Sequence, residues 1–249
     1  MNTATTTSPA ASLPDRIAGY QRWRDLLFVH WRIPASQLQP LIPNGLRVEE
    51  YDGTAWLGFV PFAMEGIRPW WSPAVPGISA FLETNVRTYV RHTSGKCGVW
   101  FFSLDANSRV AVRVARLFWH LNYIHSAMTL RRSDDSITYA GQRKTEPPIG
   151  YEVVCEPQLS SPLSVAEEGT CEQFLLERYT LFTVRRDGRI CCGQVYHVPY
   201  EFRAVRLLTC EQTLTKAAGI EGLHKRSPDH AVFAPGVDVV VSRLEPLPT

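Results

Sequence analysis

No run of about eighteen apolar residues occurs in the chain, so no segment is long and apolar enough to cross a bilayer as a helix. The opening residues lack the basic, apolar and small-residue succession of a secretory leader. Both absences lead to the expectation of a soluble, cytoplasmic protein. The six cysteines, Cys97, Cys155, Cys171, Cys191, Cys192 and Cys210, never fall in a CxxC spacing, and most sit among apolar neighbours. That argues against zinc and a disulfide framework and for reduced, buried thiols. Basic residues are scattered among acidic ones without a run or an aromatic-interleaved patch, which makes nucleic acid a poor partner. Gly-x-Ser-x-Gly, the phosphate loop and the dinucleotide fingerprint are missing, so none of the chemistries they mark is expected. His120 and His125 do not share a helix face, and no metal site is expected. No cofactor is expected either.

What is present suits a folded domain with a substantial core. The chain has 249 residues, 45% of them hydrophobic and 11% aromatic, with a formal net charge of +2. Residues 1–15, mostly Thr, Ser, Ala and Pro, cannot build a core and read as a disordered tail. Residues 16–249 read as a single domain.

Alternation and turn residues divide that domain mainly into strands. Arg24 to Arg32 is extended and closed by Pro34; Ala35 to Leu41 suits a short helix. Leu46 to Tyr51 and Ala55 to Phe62 form a hairpin at Asp52-Gly53. Pro69 to Gly77, with three prolines around Trp70 and Trp71, is an aromatic loop. It either lids a pocket or packs on the outer sheet, packing being the commoner outcome. Asn107-Ser108 caps a helix over Arg109 to Trp119 with an apolar stripe of Val110, Val114, Leu117 and Phe118. Strands follow over Ala127–Arg132, Ile137–Arg143 and Tyr151–Pro157, then a helix from the capping-box spacing at Thr170 and a hairpin, Tyr179–Arg186 with Arg189–His197. Glu211 to Ala218 suits a helix and Val237 to Arg243 a closing strand. The fold class is α+β and β-dominated.

One strand stands out. From Leu82 to Arg91 one face carries Glu83, Asn85, Arg87, Tyr89 and Arg91, and the other Leu82, Thr84, Val86, Thr88 and Val90. With the turn centred on Gly95, Arg87 falls opposite Ser103 and Asn85 opposite Asp105, so that Glu83, Arg87 and Asp105 share a face. The stripe either meets water or lines a polar cavity.

Several of these segments together resemble a known family. Phe28-Val29-His30-Trp31, Leu41 to Leu46, Asp52 to Trp56, Glu83 to Val90, Gly98 to Ala106, Ala115-Arg116, Tyr139 to Arg143, Glu177-Arg178-Tyr179 and His197-Val198-Pro199 stand in the order found in the YqjF-like (DUF2071) family. The resemblance covers about Arg24 to Leu208. Asn122 and Tyr200 depart from the family's usual Pro and Trp. The family resembles the acetoacetate decarboxylase-like superfamily, which implies a curved antiparallel sheet closing on a cavity, with a few short helices. It favours a polar stripe facing a pocket.

The decarboxylases act through a Schiff-base lysine in a Pro-Lys-Lys segment, and the matching residues here are Asn122, Tyr123 and Ile124. Imine chemistry requires a desolvated lysine. The chain has only Lys96, Lys144, Lys216 and Lys225, and Lys96 falls in a turn. The resemblance aligns Glu83 with a catalytic glutamate, which makes it a candidate general base. Arg116 is retained, and Tyr123 at the old lysine position can donate to an oxyanion. Arg87 and Arg116 suit a carboxylate clamp; Asn85, Tyr89, Ser103 and Asp105 complete the candidate binding set. The structural alternative for each is a buried side chain satisfied by its neighbours. His197 is a lone acid–base candidate, His30 reads as a core histidine, and Glu177-Arg178-Tyr179 as an internal ion pair anchoring helix to sheet. Two functions remain: an enzyme, of lyase or hydrolase type, acting without an imine on a small carbonyl or carboxylate compound, or a non-catalytic binder of such a molecule. Nucleic acid and membrane are not expected partners; homo-oligomerisation is left open.

Overall fold

The computed structural model describes residues 16–75 and 79–248. Residues 1–15, read above as the tail, residues 76–78, which include the end of the aromatic loop, and residue 249 lie outside them.

In chain order the elements are β1 (Ile17–Ile33), α1 (Ala35–Leu38), β2 (Leu46–Val48), β3 (Glu50–Tyr51), β4 (Thr54–Pro69), β5 (Phe81–His92) and β6 (Cys97–Ala106). They continue with α2 (Arg109–Phe118), β7 (Tyr123–Arg132), β8 (Ile137–Arg143), β9 (Ile149–Pro157), α3 (Cys171–Leu176), β10 (Thr180–Val184) and β11 (Ile190–Tyr196). β12 (Arg203–Gln212), α4 (Leu214–Ala217), β13 (His230–Ser242) and β14 (Glu245–Pro246) end the chain. Long strands rich in β-branched and aromatic residues, bounded by Gly and Pro turns, account for the dominance of sheet.

The sheet forks. β13, β1, β4, β5 and β6 are neighbours in that order, and from β6 one branch returns to β13 through β7, β8, β9 and β12, the other through β10 and β11. Two ring-like closures therefore share five strands. Pairing is antiparallel except where β6 meets β7 and β10. The shared strands consequently have a core on each face. Leu27 and Val29 of β1 pack with Phe59 and Val86 and with Tyr139 and Val153 of the β7–β12 branch. Leu26 and Phe28 pack on the other side with Val60, Phe62 and Tyr89.

Burial on both faces removes the solvent-facing reading of the β5 stripe. Residues 83–90 are all buried, with Glu83 only 4% exposed. A carboxylate so enclosed needs partners or a raised pKa.

Several boundaries differ from expectation. β1 begins at Ile17, β4 runs on to Pro69, and β7 starts at Tyr123. Arg203–Gln212, unassigned from sequence, is β12, and the helix expected from Glu211 is only the single turn α4. α2 is capped as expected, Ser108 Oγ accepting from Ala111 N at 3.2 Å. It buries Val112, however, and leaves Val110, Val114, Leu117 and Phe118 exposed. α3 is capped by Thr170, whose Oγ1 accepts from Gln173 N at 3.3 Å. The anchoring ion pair is Arg178 with Glu49, at 2.7 Å, rather than with Glu177. Glu177 instead accepts from Tyr179 Oη and from Tyr200 N.

Candidate active site

The β5–β6 hairpin decides which polar residues meet. Near the turn Arg91 pairs with Cys97, Tyr89 with Val99 and Arg87 with Phe101; beyond it Val86 pairs with Ser103, Asn85 with Leu104 and Thr84 with Asp105. Phe102 is thus an extra residue on β6, a bulge that shifts the register by one and turns every later side chain to the opposite face. Asn122 holds this bulge, its Nδ2 donating to Phe102 O at 2.8 Å.

The bulge corrects one expectation. Ser103 and Asp105 do not share a face with Glu83 and Arg87. They project to the other core, where Arg143 grips both Asp105 oxygens at 2.8 and 2.7 Å and donates to Ser103 Oγ at 2.9 Å. Ser126 Oγ donates to Asp105 Oδ2 at 2.5 Å, which completes a buried, satisfied cluster.

On the first face Glu83, Asn85 and Arg87 line a cavity of about 920 Å³ that opens to the surface and is bordered by β1, β4, β5, β6, α2, β10 and β11. Tyr123 joins them: β7 starts beside β6 in parallel, with Tyr123 paired to Leu104, itself paired to Asn85. Tyr123 Oη donates to Glu83 Oε2 at 2.5 Å. Burial raises the Glu83 pKa to about 7, with hydrogen bonding from Tyr123 and Asn85 opposing part of that rise. Tyr123 is pushed well above the usual phenol range, chiefly by its own burial and then by the Glu83 charge, so it stays a donor.

Arg87 lies between the Phe28 and Tyr89 rings, its guanidinium carbon 5.5 and 5.8 Å from their centroids. Its Nη2 donates to Leu175 O at 3.1 Å, while Nε is buried without a partner, as is Asn85 Oδ1. Unsatisfied buried polar atoms are costly, and these two, closed to solvent on residues of one cavity wall, take a ligand acceptor and donor on a small shift of their side chains. Gly58 leaves room behind Arg87: a Cβ there would lie 3.2 Å from both Arg87 Cγ and His30 Cδ2, a tight contact.

The other candidates sit elsewhere. Arg116 is exposed on α2, and its Nε donates to Tyr123 O at 2.6 Å, fixing the start of β7 rather than facing the cavity. Tyr89 is fully buried behind the wall, bonded to His30 Nε2 at 2.8 Å and Leu175 O at 2.9 Å. His30 in turn meets His230 across 3.0 Å, and burial holds its pKa well below the usual histidine value. His197 is buried against Tyr179 and Tyr200, and burial depresses its pKa to about 4.

Sequence reasoning missed most of the apolar wall, including Trp23 and Phe62, because one face of a strand buried on both sides carries no distinguishing pattern. Tyr200, noted as a departure, does line the cavity. Trp70 and Trp71, 54% and 71% exposed, stand at its rim rather than packing on the outer sheet.

The DUF2071 family, described as an uncharacterized conserved protein, matches residues 20–238. The chain belongs to this family. Among its relatives is the uncharacterized protein YqjF of Bacillus subtilis (strain 168), 37% identical over 210 residues, covering 84% of this chain and 85% of that one. Acetoacetate decarboxylase from Legionella pneumophila superposes with a TM-score of 0.63 at 14% identity over 98% of this chain and 93% of its own. An acetoacetate decarboxylase-like enzyme from Sphingomonas wittichii RW1 gives 0.63 at 14% over 100% and 99%. The enduracididine biosynthesis enzyme MppR, complexed with pyruvate, gives 0.61 at 12% over 98% and 95%. At these identities the likeness shows the fold alone, and this DUF2071 protein has the acetoacetate decarboxylase-like fold. None of its described helices is long and apolar enough to cross a membrane.

Proposed function

We propose that the cavity binds a carbonyl- or carboxylate-bearing compound against Glu83, Asn85, Arg87 and Tyr123, and that the protein is an enzyme acting on it by proton transfer without an imine. The observation that carries this reading is the Glu83–Tyr123 pair on the cavity wall, where none of the four lysines lies. That one structural neighbour is an acetoacetate decarboxylase and another holds pyruvate supports a keto acid as the class.

Each residue then has a task. Glu83, about half ionised near pH 7, takes a proton from the carbon next to the carbonyl and can return it to that carbon or to a leaving group. The Tyr123 hydroxyl turns from Glu83 to the carbonyl oxygen, where negative charge develops in a water-poor setting. Arg87 Nε donates to a ligand carboxylate as its missing partner, and Asn85 Oδ1 accepts from a ligand hydroxyl.

A keto-acid binding screen followed by product analysis by NMR tests this. Turnover should vanish in Glu83→Gln while binding persists. Tyr123→Phe should move the limb of the pH–rate profile that reports Glu83 upward, because the lost hydrogen bond stabilised the anion. Wild-type protein that binds a keto acid and returns it unchanged under all conditions would leave the non-catalytic binder as the function.

A further inference from the structure

We infer that the ligand of this site has a long apolar body attached to its carbonyl or carboxylate head. This rests on the head-group reading above and adds the substrate class. The cavity, about 920 Å³, is at the upper end of the roughly 300–1,000 Å³ of pockets that bury a drug-sized ligand. A keto acid the size of acetoacetate held at Glu83 and Tyr123 would leave most of that space to water. The walls are unsuited to water: Trp23, Leu26, Phe28, Val60, Phe62 and Met64 form one side, and apolar cavities favour apolar occupants over solvent.

The polar groups are also distributed as an amphipathic ligand requires. Glu83, Asn85, Arg87 and Tyr123 are buried polar residues of the lining; Gln21, Arg68 and Arg178, the last paired with Glu49, are half-buried, and Arg185 and Arg243 are exposed. The apolar lining reaches the surface at Trp70, Trp71, Val114 and Phe118, all exposed. An alkyl chain or ring system running from the buried polar residues to this rim is in apolar contact along its length. Burying each added methylene contributes about a fourfold gain in affinity.

The test uses a homologous series of stable α-keto acids, pyruvate, α-ketooctanoate and α-ketododecanoate, titrated calorimetrically below their critical micelle concentrations, with dodecanol as a headless control. Affinity should climb steeply along the series, and dodecanol should bind at least tenfold more weakly than α-ketododecanoate. Arg87→Met should weaken all three acids by a similar factor. Leu181 lines the cavity on β10, where it pairs with Val99 and not with the strands that carry Glu83 and Tyr123; Leu181→Trp, shown by melting to be folded, should erase the gain from chain length and leave pyruvate binding unchanged. Equal affinity for all three acids, with Arg87→Met still weakening them, would overturn the apolar body and leave the head-group reading intact. Dodecanol binding as tightly as α-ketododecanoate, with Arg87→Met without effect, would support the apolar preference and overturn the head-group reading. No binding of any probe would overturn both.

Discussion

Replacing Glu83 by glutamine should stabilise the protein at alkaline pH and do little at acid pH. The carboxyl titrates near 4.5 when exposed in the unfolded chain and near 7 in its buried site. Between those values the folded state holds a proton that the unfolded state has released, so stability falls as pH rises through this window. At about 1.4 kcal/mol per pKa unit, the burial of Glu83 costs about 3 kcal/mol above pH 7. Glutamine is neutral throughout, and its carbonyl can still accept from Tyr123. Urea denaturation of wild type and Glu83→Gln at about pH 5 and pH 8 reads the difference directly, with the variant gaining about 3 kcal/mol at the higher pH and less than about 1 at the lower. In melting experiments the same difference is about 6–12 °C for a chain of this size. An offset between the two proteins that does not change with pH would refute the raised pKa and with it the poised base.

Other residues give separate expectations. Asp105→Ala leaves Arg143 buried without its carboxylate and should cost about 3–5 kcal/mol in urea denaturation, with keto-acid affinity unchanged in protein that remains folded. Borohydride added with acetoacetate should leave the mass of the wild-type protein unchanged apart from slow labelling of surface lysines. Tyr123→Lys places an amine in the dry wall beside Glu83, where burial lowers its pKa, and stoichiometric trapping should appear at that position by peptide mass.

The sequence carried much of the fold, and particular residues show where it stopped. Strict alternation from Glu83 to Val90 placed Asn85 and Arg87 on one face with Glu83, and the backbone keeps that arrangement. Tyr123 emerged only from the family resemblance, since nothing local marks the first residue of a strand as a cavity wall. The Phe102 bulge was illegible because a single inserted residue leaves no pattern of its own, yet it moved Ser103 and Asp105 to the other core. The stripe on α2 was visible but its orientation was not: helical spacing predicts a common face, not what covers it. β12 was missed because its alternating residues are largely half-buried, with Leu208 exposed.

The claim that Glu83 is a working base is tested most directly by hydrogen–deuterium exchange at the carbon next to the carbonyl of a bound keto acid. With α-ketobutyrate in D2O at neutral pD, followed by proton NMR, wild-type protein should accelerate loss of the methylene signal above the buffer rate. Glu83→Gln should return the rate to that of buffer while still binding the acid. Exchange at equal rates with wild type and Glu83→Gln, both shown to bind, would contradict the account.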